Sequence, residues 1–391
     1  MSVSGTQVSN RSSAEVYEVV VVGAGVIGLS IAYHASVRDL KTLVCERTRI
    51  AAGASGVQPG GVRQQWSTDV NCLLARESHA FYTSLSEHLE TRVRPRLEAC
   101  GYLFLAHSPA ALERLSANVR LQNTYGIPSQ VLLAADIAEL VHGLDGEGIV
   151  GGSYCAEDGY FDKPQGVVEA FAQAAIERGT RIDISKVTGL KKNGDGWELL
   201  LDRGPRLYCD QVVIAASYDT NEILASLGLE LPLTKAARYL FLSDPIRERL
   251  LEPLVVSQEL HFAAKHLADG RVLASDLSAQ GDPSVERAHW HDHVRSVVEQ
   301  ILPILQYVSF PLLVEGFYDM TPDSQGIVSS VDGFEGLWVA AGFSGHGFMI
   351  APAVGRGMAD LLEGKDPGDA IGQLQASRFG RAVLELETQV V

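Results

Sequence analysis

The sequence predicts an α/β protein, because apolar strand-like runs alternate with helical stretches near both ends of the chain. Close to the start, the run 19–22 passes through a glycine-rich turn into a helical stretch that reaches about residue 38. A second apolar run follows at 42–45. Near the other end, the run 336–341 leads through a glycine-rich turn into another helix. Continuous apolar runs of this kind are typical of parallel strands that are buried on both faces.

The first turn predicts a dinucleotide site. It carries the pattern G-x-G-x-x-G at Gly23, Gly25 and Gly28, and Glu46 ends the second strand. The first glycine permits a tight turn, the second lets backbone approach a pyrophosphate, and the third lets helix and strand pack closely. The helix N-terminus offers N–H groups to the phosphates, and the acid can accept hydrogen bonds from ribose hydroxyls. By itself this unit leaves FAD and NAD as alternatives.

Length and composition limit the remaining possibilities. The 391 residues suffice for about two domains, and 46% of them are hydrophobic, which is typical of a globular chain. The net charge of −16 argues against partners such as nucleic acid or anionic membranes. No apolar run approaches the ~18 residues of a membrane span. The polar segment 1–16 is predicted to be a flexible tail rather than a secretory signal.

The five cysteines are widely spaced and odd in number. This usage suits a reducing compartment and shows no metal-ligand spacing. The sequence therefore predicts a cytoplasmic protein without a metal site.

The second glycine turn favours FAD over NAD. An NAD enzyme needs only the first unit, whereas a flavin ring gains negative charge at N1 and C2=O when it is reduced. Another helix N-terminus, predicted at about 349–352 with Pro352 in its first turn, would stabilise that charge through its dipole and N–H groups. Gly364 is predicted to cap the C-terminal end of this helix.

Three motifs give the chain its likeness to a known family. They read VVVVGAGVIGLSIAYH, ASGVQPGGVRQQW, and GFYDMTPDSQGIV followed by GLWVAAGFSGHGFMIAPAVGRGMADLL, and they span nearly the whole chain. On these motifs the chain resembles the FAD-dependent amine and amino-acid oxidoreductases of the D-amino-acid oxidase superfamily. The likeness is strongest to sarcosine oxidases and their β subunits, to glycine oxidases, and to the β subunits of dye-linked proline dehydrogenases.

The resemblance implies a Rossmann-like FAD-binding domain interleaved with an α+β substrate domain built on an antiparallel sheet. The FAD-binding domain would comprise 17–90, 151–228 and 319–391. The substrate domain would comprise 91–150 and 229–318.

The resemblance also implies which residues contact FAD. Glu46 would bind the adenosine ribose with Arg47 beside it, and Val187 would meet the adenine. The pyrophosphate and the phosphate path would be held by Gly23, Gly25, Val26, Ile27, Gly28, Ala54, Ser55 and Gly56. The ribityl chain and the pyrimidine side of the ring would lie against Ala215, Ala216, Gly342, Gly345, His346, Gly347, Phe348 and Met349.

Arg63 is the predicted substrate-binding residue. In the family, an arginine after this Gly-Gly turn grips a substrate carboxylate, and a guanidinium does so through two parallel hydrogen bonds. His346, Tyr318 and His261 are the further candidates for catalytic residues facing the substrate.

Three departures from the family bear on the chemistry. Gly316 stands where monomeric sarcosine oxidases carry the cysteine that is linked to flavin, so FAD is expected to be non-covalent there; attachment through a histidine stays open. Met349 replaces a lysine that helps to bind the carboxylate, which leaves Arg63 as the main anchor. Val272 occupies the place of an oxygen-activating lysine, so slow reaction with O2 or another electron acceptor is expected.

The predicted function is oxidation of the C–N bond of a sarcosine-, glycine- or proline-like amino acid or secondary amine. A hydride would pass to flavin N5, and water would hydrolyse the imine. One alternative is an FAD-dependent 2-hydroxy-acid dehydrogenase, with His346 or His261 as the base. Others are a flavoprotein subunit of a multi-subunit dehydrogenase, with a partner subunit or as a homo-oligomer, and a plain NAD dehydrogenase.

Overall fold

The computed structural model describes residues 16–391. The predicted tail falls on residues 1–15, outside the described part, and on Val16, which begins the first strand. The strands are β1 (Val16–Val22), β2 (Thr42–Glu46), β3 (Gly61–Val62), β4 (Leu97–Glu98), β5 (Tyr102–Ala106), β6 (Gln130–Leu133), β7 (Gly151–Cys155), β8 (Gly159–Phe161), β9 (Arg181–Ile184), β10 (Val187–Asn193), β11 (Gly196–Leu201), β12 (Leu207–Ile214), β13 (Thr234–Leu242), β14 (Leu254–Ser257), β15 (Phe262–His266), β16 (Val272–Asp276), β17 (Leu312–Met320), β18 (Ile327–Ser330) and β19 (Leu337–Ala341).

Helices connect and cover these strands. The α-helices are α1 (Val26–Ser36), α2 (Ala54–Val57), α3 (Asp69–Thr83), α4 (Leu85–Leu89), α5 (Pro109–Thr124), α6 (Ala134–Leu140), α7 (Pro164–Glu177), α8 (Thr220–Leu224), α9 (Pro283–Ile301), α10 (Gly347–Leu362) and α11 (Asp369–Gly372). Short 3-10 turns lie at Ser217–Asp219, Ala225–Leu227, Pro303–Leu305 and Ala376–Gly380. Within residues 16–391, no helix is long and apolar enough to cross a membrane.

The first of two eight-stranded sheets has a parallel centre. Its path runs β10-β11-β12-β1-β2-β9, and β19 also pairs with β12 and carries β18 at its side. The pairs β12–β1, β1–β2, β2–β9 and β12–β19 are parallel, whereas β10, β11 and β18 join as antiparallel strands. Apolar clusters bury both faces of this sheet, which explains why its central strands read as continuous apolar runs.

The second eight-stranded sheet has the order β17-β13-β16-β15-β14-β5-β7-β6. Its pairs are antiparallel except for β14–β5. Helix α9 covers one face of this sheet in an apolar core. A small third sheet, β3-β8-β4, completes the described strands. The predicted α/β class with a second, largely antiparallel sheet is confirmed.

The predicted domain partition stays a prediction, and two strands do not follow its boundaries. β7 (Gly151–Cys155) pairs within the second sheet, although the partition assigns it to the FAD-binding part. β17 (Leu312–Met320) crosses the boundary at residue 319.

Helices α1 and α10, which follow the two glycine turns, pack directly on each other. The Ser30 hydroxyl donates to the carbonyl of Ala351 at 2.8 Å. A Cβ on Gly355 would lie 2.2 Å from the Ser30 hydroxyl oxygen and 2.7 Å from its backbone carbon. Only a residue without a side chain permits this close approach of the two helices.

The start of α10 corrects one prediction. The helix begins at Gly347, so Pro352 lies in its interior rather than in its first turn. Proline has no N–H, and the Phe348 carbonyl therefore has no helical donor. The Tyr82 hydroxyl, from α3, donates to that carbonyl at 2.6 Å instead. Gly364 follows the helix in the left-handed conformation (φ +71°), as predicted for its cap.

Candidate active site

A long cavity runs from the ends of β1 and β2 to the turn before α10, with β13 and β17 of the second sheet along its wall. It connects the two glycine turns that the sequence singles out. The predicted residues that line it are Gly23, Gly25, Val26, Ile27, Glu46, Arg47, Ala54, Ser55, Val187, Ala215, Ala216, Tyr318, Gly345, Gly347 and Phe348. The remaining predicted residues, Gly28, Gly56, Arg63, His261, Gly342, His346 and Met349, are not part of the cavity lining.

The first turn is packed backbone against backbone. Gly23 has φ +113°, and a Cβ there would lie 2.3 Å from the carbonyl oxygen of Ala215. Behind it, a Cβ on Gly28 would lie 2.0 Å from the carbonyl oxygen of Gly23. Gly56 has no room for a side chain either, because a Cβ there would lie 2.1 Å from the carbonyl oxygen of Ala51. Gly28 and Gly56 therefore support the backbone around the turn without lining the cavity, whereas Gly23 does both.

Glu46 anchors the end of β2 to this turn. Its buried carboxylate accepts from the N–H of Ala24 at 3.0 Å and from the N–H of Thr48 at 2.9 Å. Arg47 beside it pairs with Asp219 at 2.7 Å. The cavity therefore has a negative carboxylate and a neighbouring ion pair at its nucleoside end.

Helix α1 directs its N-terminus into the same cavity. Its first N–H, of Val26, donates to the Ser55 hydroxyl at 3.0 Å. The first N–H groups of a helix have no acceptor within the helix, and they attract phosphate oxygens. A glycine-rich turn, a helix N-terminus, a hydroxyl and a carboxylate fit the AMP half of FAD.

The second turn is locked to the end of β17. The Asp319 carboxylate accepts from the N–H of Gly342 at 2.7 Å, and the Asp319 carbonyl accepts from the N–H of Ser344 at 2.9 Å. Burial raises the pKa of Asp319 to about 6. Gly345 has φ +88°, and a Cβ there would lie 2.2 Å from the ring of Tyr318. Because α10 starts just after this turn, a second helix N-terminus faces the cavity and fits the flavin half of FAD.

Arg63 lies beside this end of the molecule and is buried, with 2% of its surface exposed. Its guanidinium stacks on Trp66 at 3.6 Å from the ring centroid. It donates to the carbonyl of Gln65 at 2.5 Å and to the carbonyl of Gln389. Burial lowers the pKa of Arg63.

Tyr318 and His346 lie close to Arg63. The Tyr318 hydroxyl donates to the backbone oxygen of Val391 at 3.3 Å. Burial raises the pKa of Tyr318, while Arg238 and Arg63 act in the opposite direction.

His346 contacts Trp66, the same ring on which Arg63 stacks; the two ring centroids are 4.8 Å apart and the ring planes are tilted by 52°. Within residues 16–391, neither ring nitrogen of His346 has a hydrogen-bond partner. Burial lowers the pKa of His346 to about 4, so the ring is neutral at pH 7. The structure thus brings three of the four predicted catalytic residues together.

The structure places the fourth candidate, His261, away from the other three. It lies in the turn between β14 and β15 with φ +49°, and its side chain is exposed. The hairpin register pairs Ser257 with Phe262, which leaves His261 in the connecting turn.

The structure also locates the three residues at which the sequence departs from the family. Gly316 lines the cavity wall. Val272 packs in the core between the second sheet and α9, on the opposite face from the cavity. Met349 packs towards Gly61, where its methyl group lies 3.3 Å from the position of an added Cβ.

Sequence reasoning missed one buried cation on this side, Lys265 of β15. It is 2% exposed, donates to the carbonyl of Pro59, and lies 4.5 Å from the ring centroid of Tyr160. Burial lowers the pKa of Lys265 to about 7. A lysine that follows three apolar residues in the strand FAAKH was the available signal.

Sequence reasoning also missed the stretch 385–391, named here the C-terminal segment. It has neither helix nor strand, yet Glu387 and Gln389 are buried in it. It crosses Arg63 and Tyr318 through its backbone oxygens. An irregular segment has no periodicity from which such contacts could be read.

These features define a dinucleotide-dependent oxidoreductase with a buried cationic site beside the redox end of the cavity. The chain belongs to the FAD dependent oxidoreductase (DAO) family, whose model matches residues 18–361. The predicted family and its use of FAD are therefore confirmed, and the chain is an enzyme of this class.

Two curated relatives and one solved structure show how far the likeness extends. FAD-dependent oxidoreductase domain-containing protein 1 of Xenopus laevis is 27% identical, over 88% of this chain and 79% of its own length. The 4-methylaminobutanoate oxidase (formaldehyde-forming) of Paenarthrobacter nicotinovorans is also 27% identical; 92% of this chain matches 45% of that protein. The crystal structure of L-proline dehydrogenase from P. horikoshii superposes with a TM-score of 0.86 and 26% identity, covering 95% of this chain and 100% of that chain.

Proposed function

We propose that this enzyme oxidises the C–N bond of a small amino acid or secondary amine of the sarcosine, glycine or proline kind. The observation that carries the proposal is the buried Arg63, which stacks on Trp66 next to Tyr318 and His346. A buried guanidinium favours an anionic partner, and a substrate carboxylate offers two acceptor oxygens to it. Two of the proteins named above, 4-methylaminobutanoate oxidase (formaldehyde-forming) and L-proline dehydrogenase, are named for substrates with a secondary amine and a carboxylate.

The side chains have separate roles in this proposal. Arg63 holds the carboxylate, and the Tyr318 hydroxyl donates a further hydrogen bond to it. Neutral His346 accepts a hydrogen bond from the amine, because burial lowers the pKa of the imidazole to about 4 and leaves a ring nitrogen without a proton. When bound, FAD supplies the acceptor for the hydride.

The residues that would hold FAD divide between the two turns. We assign the pyrophosphate to Gly25 and the first turn of α1, and the adenosine ribose to Glu46. The ring is assigned to the backbone from Gly345 to Phe348. Gly316 has no side chain that could bond to the ring, so the proposal is non-covalent FAD.

The acceptor, partners and location are also part of the proposal. The substrate is a small molecule, and the electrons pass to O2 or to another acceptor. The acceptor is distinguished by comparing the reoxidation of reduced enzyme by air and by an artificial dye. The described cysteines are all free, which agrees with a cytoplasmic location.

The test is anaerobic mixing of the purified, FAD-loaded enzyme with sarcosine, L-proline, glycine and N,N-dimethylglycine. We expect at least one of them to bleach the oxidised-flavin band near about 450 nm. Amines without a carboxylate, such as pyrrolidine, serve as controls and should bleach the band far more slowly. A band that survives the whole panel contradicts the proposed substrate class. Acid precipitation of the same sample shows whether the flavin is released.

A second candidate, oxidation of a 2-hydroxy acid, is favoured by one observation. Both ring nitrogens of His346 are available within the described structure, so the ring could take the proton of a substrate hydroxyl. L-lactate in the same anaerobic experiment distinguishes the two candidates.

A further inference from the structure

The C-terminal segment engages two residues that the proposed function assigns to the substrate. Arg63 donates to the carbonyl of Gln389, and the Tyr318 hydroxyl donates to the backbone oxygen of Val391 at 3.3 Å. Both donors would serve equally well for the two oxygens of a carboxylate. The backbone of this segment therefore takes the hydrogen bonds that a substrate carboxylate needs.

One buried side chain anchors the segment. Glu387 is 4% exposed, and its carboxylate accepts from the N–H and hydroxyl of Ser67, the hydroxyl of Thr68 and the amide of Asn71. The N–H of Gln389 also donates to it, at 2.9 Å. These bonds are charge-assisted, so Glu387 is the strongest single attachment of the segment.

Beyond this anchor, Ser67, Gln258, Arg63 and Tyr318 hold the backbone of the segment or the Thr388 side chain, whereas the Gln389 side chain is held by none of them. The Gln389 side chain is 1% exposed, yet within residues 16–391 neither its amide nitrogen nor its oxygen has a hydrogen-bond partner. The outer side is fastened by Gln258, which donates to the carbonyl of Thr388 at 3.0 Å. Burying unpaired polar groups is unfavourable, so the observed arrangement of residues 388–391 carries a cost that withdrawal would remove.

We infer that the C-terminal segment is an internal competitor for the substrate carboxylate. The Gln389 carbonyl occupies the position at Arg63 that a carboxylate oxygen takes, and residues 388–391 withdraw about the Glu387 anchor when substrate binds. The inference rests on the proposed role of Arg63. A carboxylate can displace the segment because it is a stronger acceptor for a guanidinium than a neutral carbonyl.

This competition makes Glu387 and Gln389 determinants of specificity. The apparent affinity for a ligand equals its intrinsic affinity multiplied by the fraction of molecules in which the segment is withdrawn. A ligand with a carboxylate binds Arg63 and so offsets the free energy needed to withdraw the segment. Amines that lack a carboxylate gain nothing from the withdrawal and are selected against.

The first test follows the segment itself by hydrogen exchange and mass spectrometry on the FAD-loaded enzyme. The probe is acetate, with acetamide as its neutral isostere and sodium chloride as the ionic-strength control. We expect acetate alone to accelerate exchange in peptides that cover 386–391. Unchanged or slower exchange with acetate overturns the inference.

The second test uses the matched pair Glu387→Gln and Glu385→Gln. Both variants remove one carboxylate from the same segment, but Glu387 is buried in hydrogen bonds whereas Glu385 is exposed. We expect Glu387→Gln to lower the apparent dissociation constant for acetate, followed by the flavin spectrum, by about tenfold, whereas Glu385→Gln leaves it unchanged. A loosened segment without tighter acetate binding overturns the inference. If Glu387→Gln does not fold, Ser67→Ala removes part of the anchor more gently.

The outcomes separate this inference from the proposed function. If no amine reduces the flavin but acetate still releases the segment, the proposed substrate class fails and the competition stands. If amines reduce the flavin while acetate neither moves the segment nor binds more tightly to Glu387→Gln, the competition alone fails.

Discussion

The two strand–turn–helix units of this molecule look alike in sequence but are built differently. In the unit β1–α1, the two most tightly packed glycines face backbone atoms: Gly28 faces the carbonyl of Gly23 at 2.0 Å, and Gly23 faces the carbonyl of Ala215 at 2.3 Å. In the unit β19–α10, they face side chains: Gly345 faces the ring of Tyr318 at 2.2 Å, and Gly342 faces a methyl group of Thr321 at 2.5 Å.

This difference teaches how the two ends of a cofactor site can be specialised. Backbone atoms of a central sheet cannot move aside, so the first turn is a fixed cradle for phosphates. Side chains can change rotamer, so the second turn can adjust together with the residues near the substrate. The following four predictions test this contrast, beginning with the largest expected effect.

We expect Gly28→Ala to destabilise the protein most. The added methyl group would collide with a backbone carbonyl that has no room to move, which costs about 3 kcal/mol of unfolding free energy. FAD should be lost with it, as measured by the flavin absorbance per protein and by urea unfolding. Gly372→Ala is the control, because no atom lies within 4 Å of its added Cβ. Retention of FAD with native stability in Gly28→Ala would refute the fixed cradle.

Asp319→Asn should change the dependence of stability on pH. Burial raises the pKa of Asp319 from 3.8 to about 6, so the folded state holds this proton more tightly than the unfolded state. The unfolding free energy of the native protein therefore falls as pH rises from about 4 to about 6. Asparagine does not titrate and can still accept from Gly342.

The expected result is a stability difference, variant minus native, that rises by up to about 3 kcal/mol across this window. Urea unfolding at several pH values measures it. Asp158, whose pKa is also raised to about 6, contributes the same slope to both proteins and cancels. A difference that does not depend on pH contradicts the role given to Asp319.

Gly345→Ala should cost less than Gly28→Ala, about 2 kcal/mol, and should keep FAD bound. Its positive φ strains any other residue, but the ring of Tyr318 can give way. A double-mutant cycle with Tyr318→Ala separates the two causes, because removing the ring leaves only the backbone strain. We expect a coupling of about 1 kcal/mol in unfolding experiments. Strict additivity would mean that the ring does not limit this turn.

The smallest effect is expected for Tyr82→Phe. Its hydroxyl is the donor to the Phe348 carbonyl that Pro352 leaves without a helical partner. Removing it costs about 1 kcal/mol of unfolding free energy. In a Pro352→Ala background, residue 352 regains an N–H, and the same substitution should cost less. An equal cost in both backgrounds would show that the two residues are independent.

The first unit could be predicted from sequence because its physics is local. Gly23, Gly28 and Glu46 lie within one βαβ stretch, and each has a role that spacing alone defines. The start of α10 could not be placed in the same way. Pro352 is typical of a first helical turn, and the Tyr82 hydroxyl, from a distant helix, donates to the Phe348 carbonyl that its interior position leaves without a helical donor.

The substrate end could be predicted only in part. Arg63, Tyr318 and His346 follow from motifs and come together in the structure. His261 is predicted to face the same substrate, but hairpin register decides its place and the sequence does not define that register. Glu387 contacts residues about 320 positions earlier in the chain, and no local pattern records such a contact.

The contact between Ser30 and Gly355 has a consequence for cofactor choice. It fixes α1 and α10 to each other, and with them the separation of the two turns from which these helices start. The distance between the two turns, and so the length of ligand that reaches both, is therefore set by the packing of two helices in the protein core and not by its loops. A flavin mononucleotide has no second half to place against Glu46. A dinucleotide can span both turns. The spacing of the two packed helices therefore favours a dinucleotide over a mononucleotide, independently of the side chains that contact the cofactor.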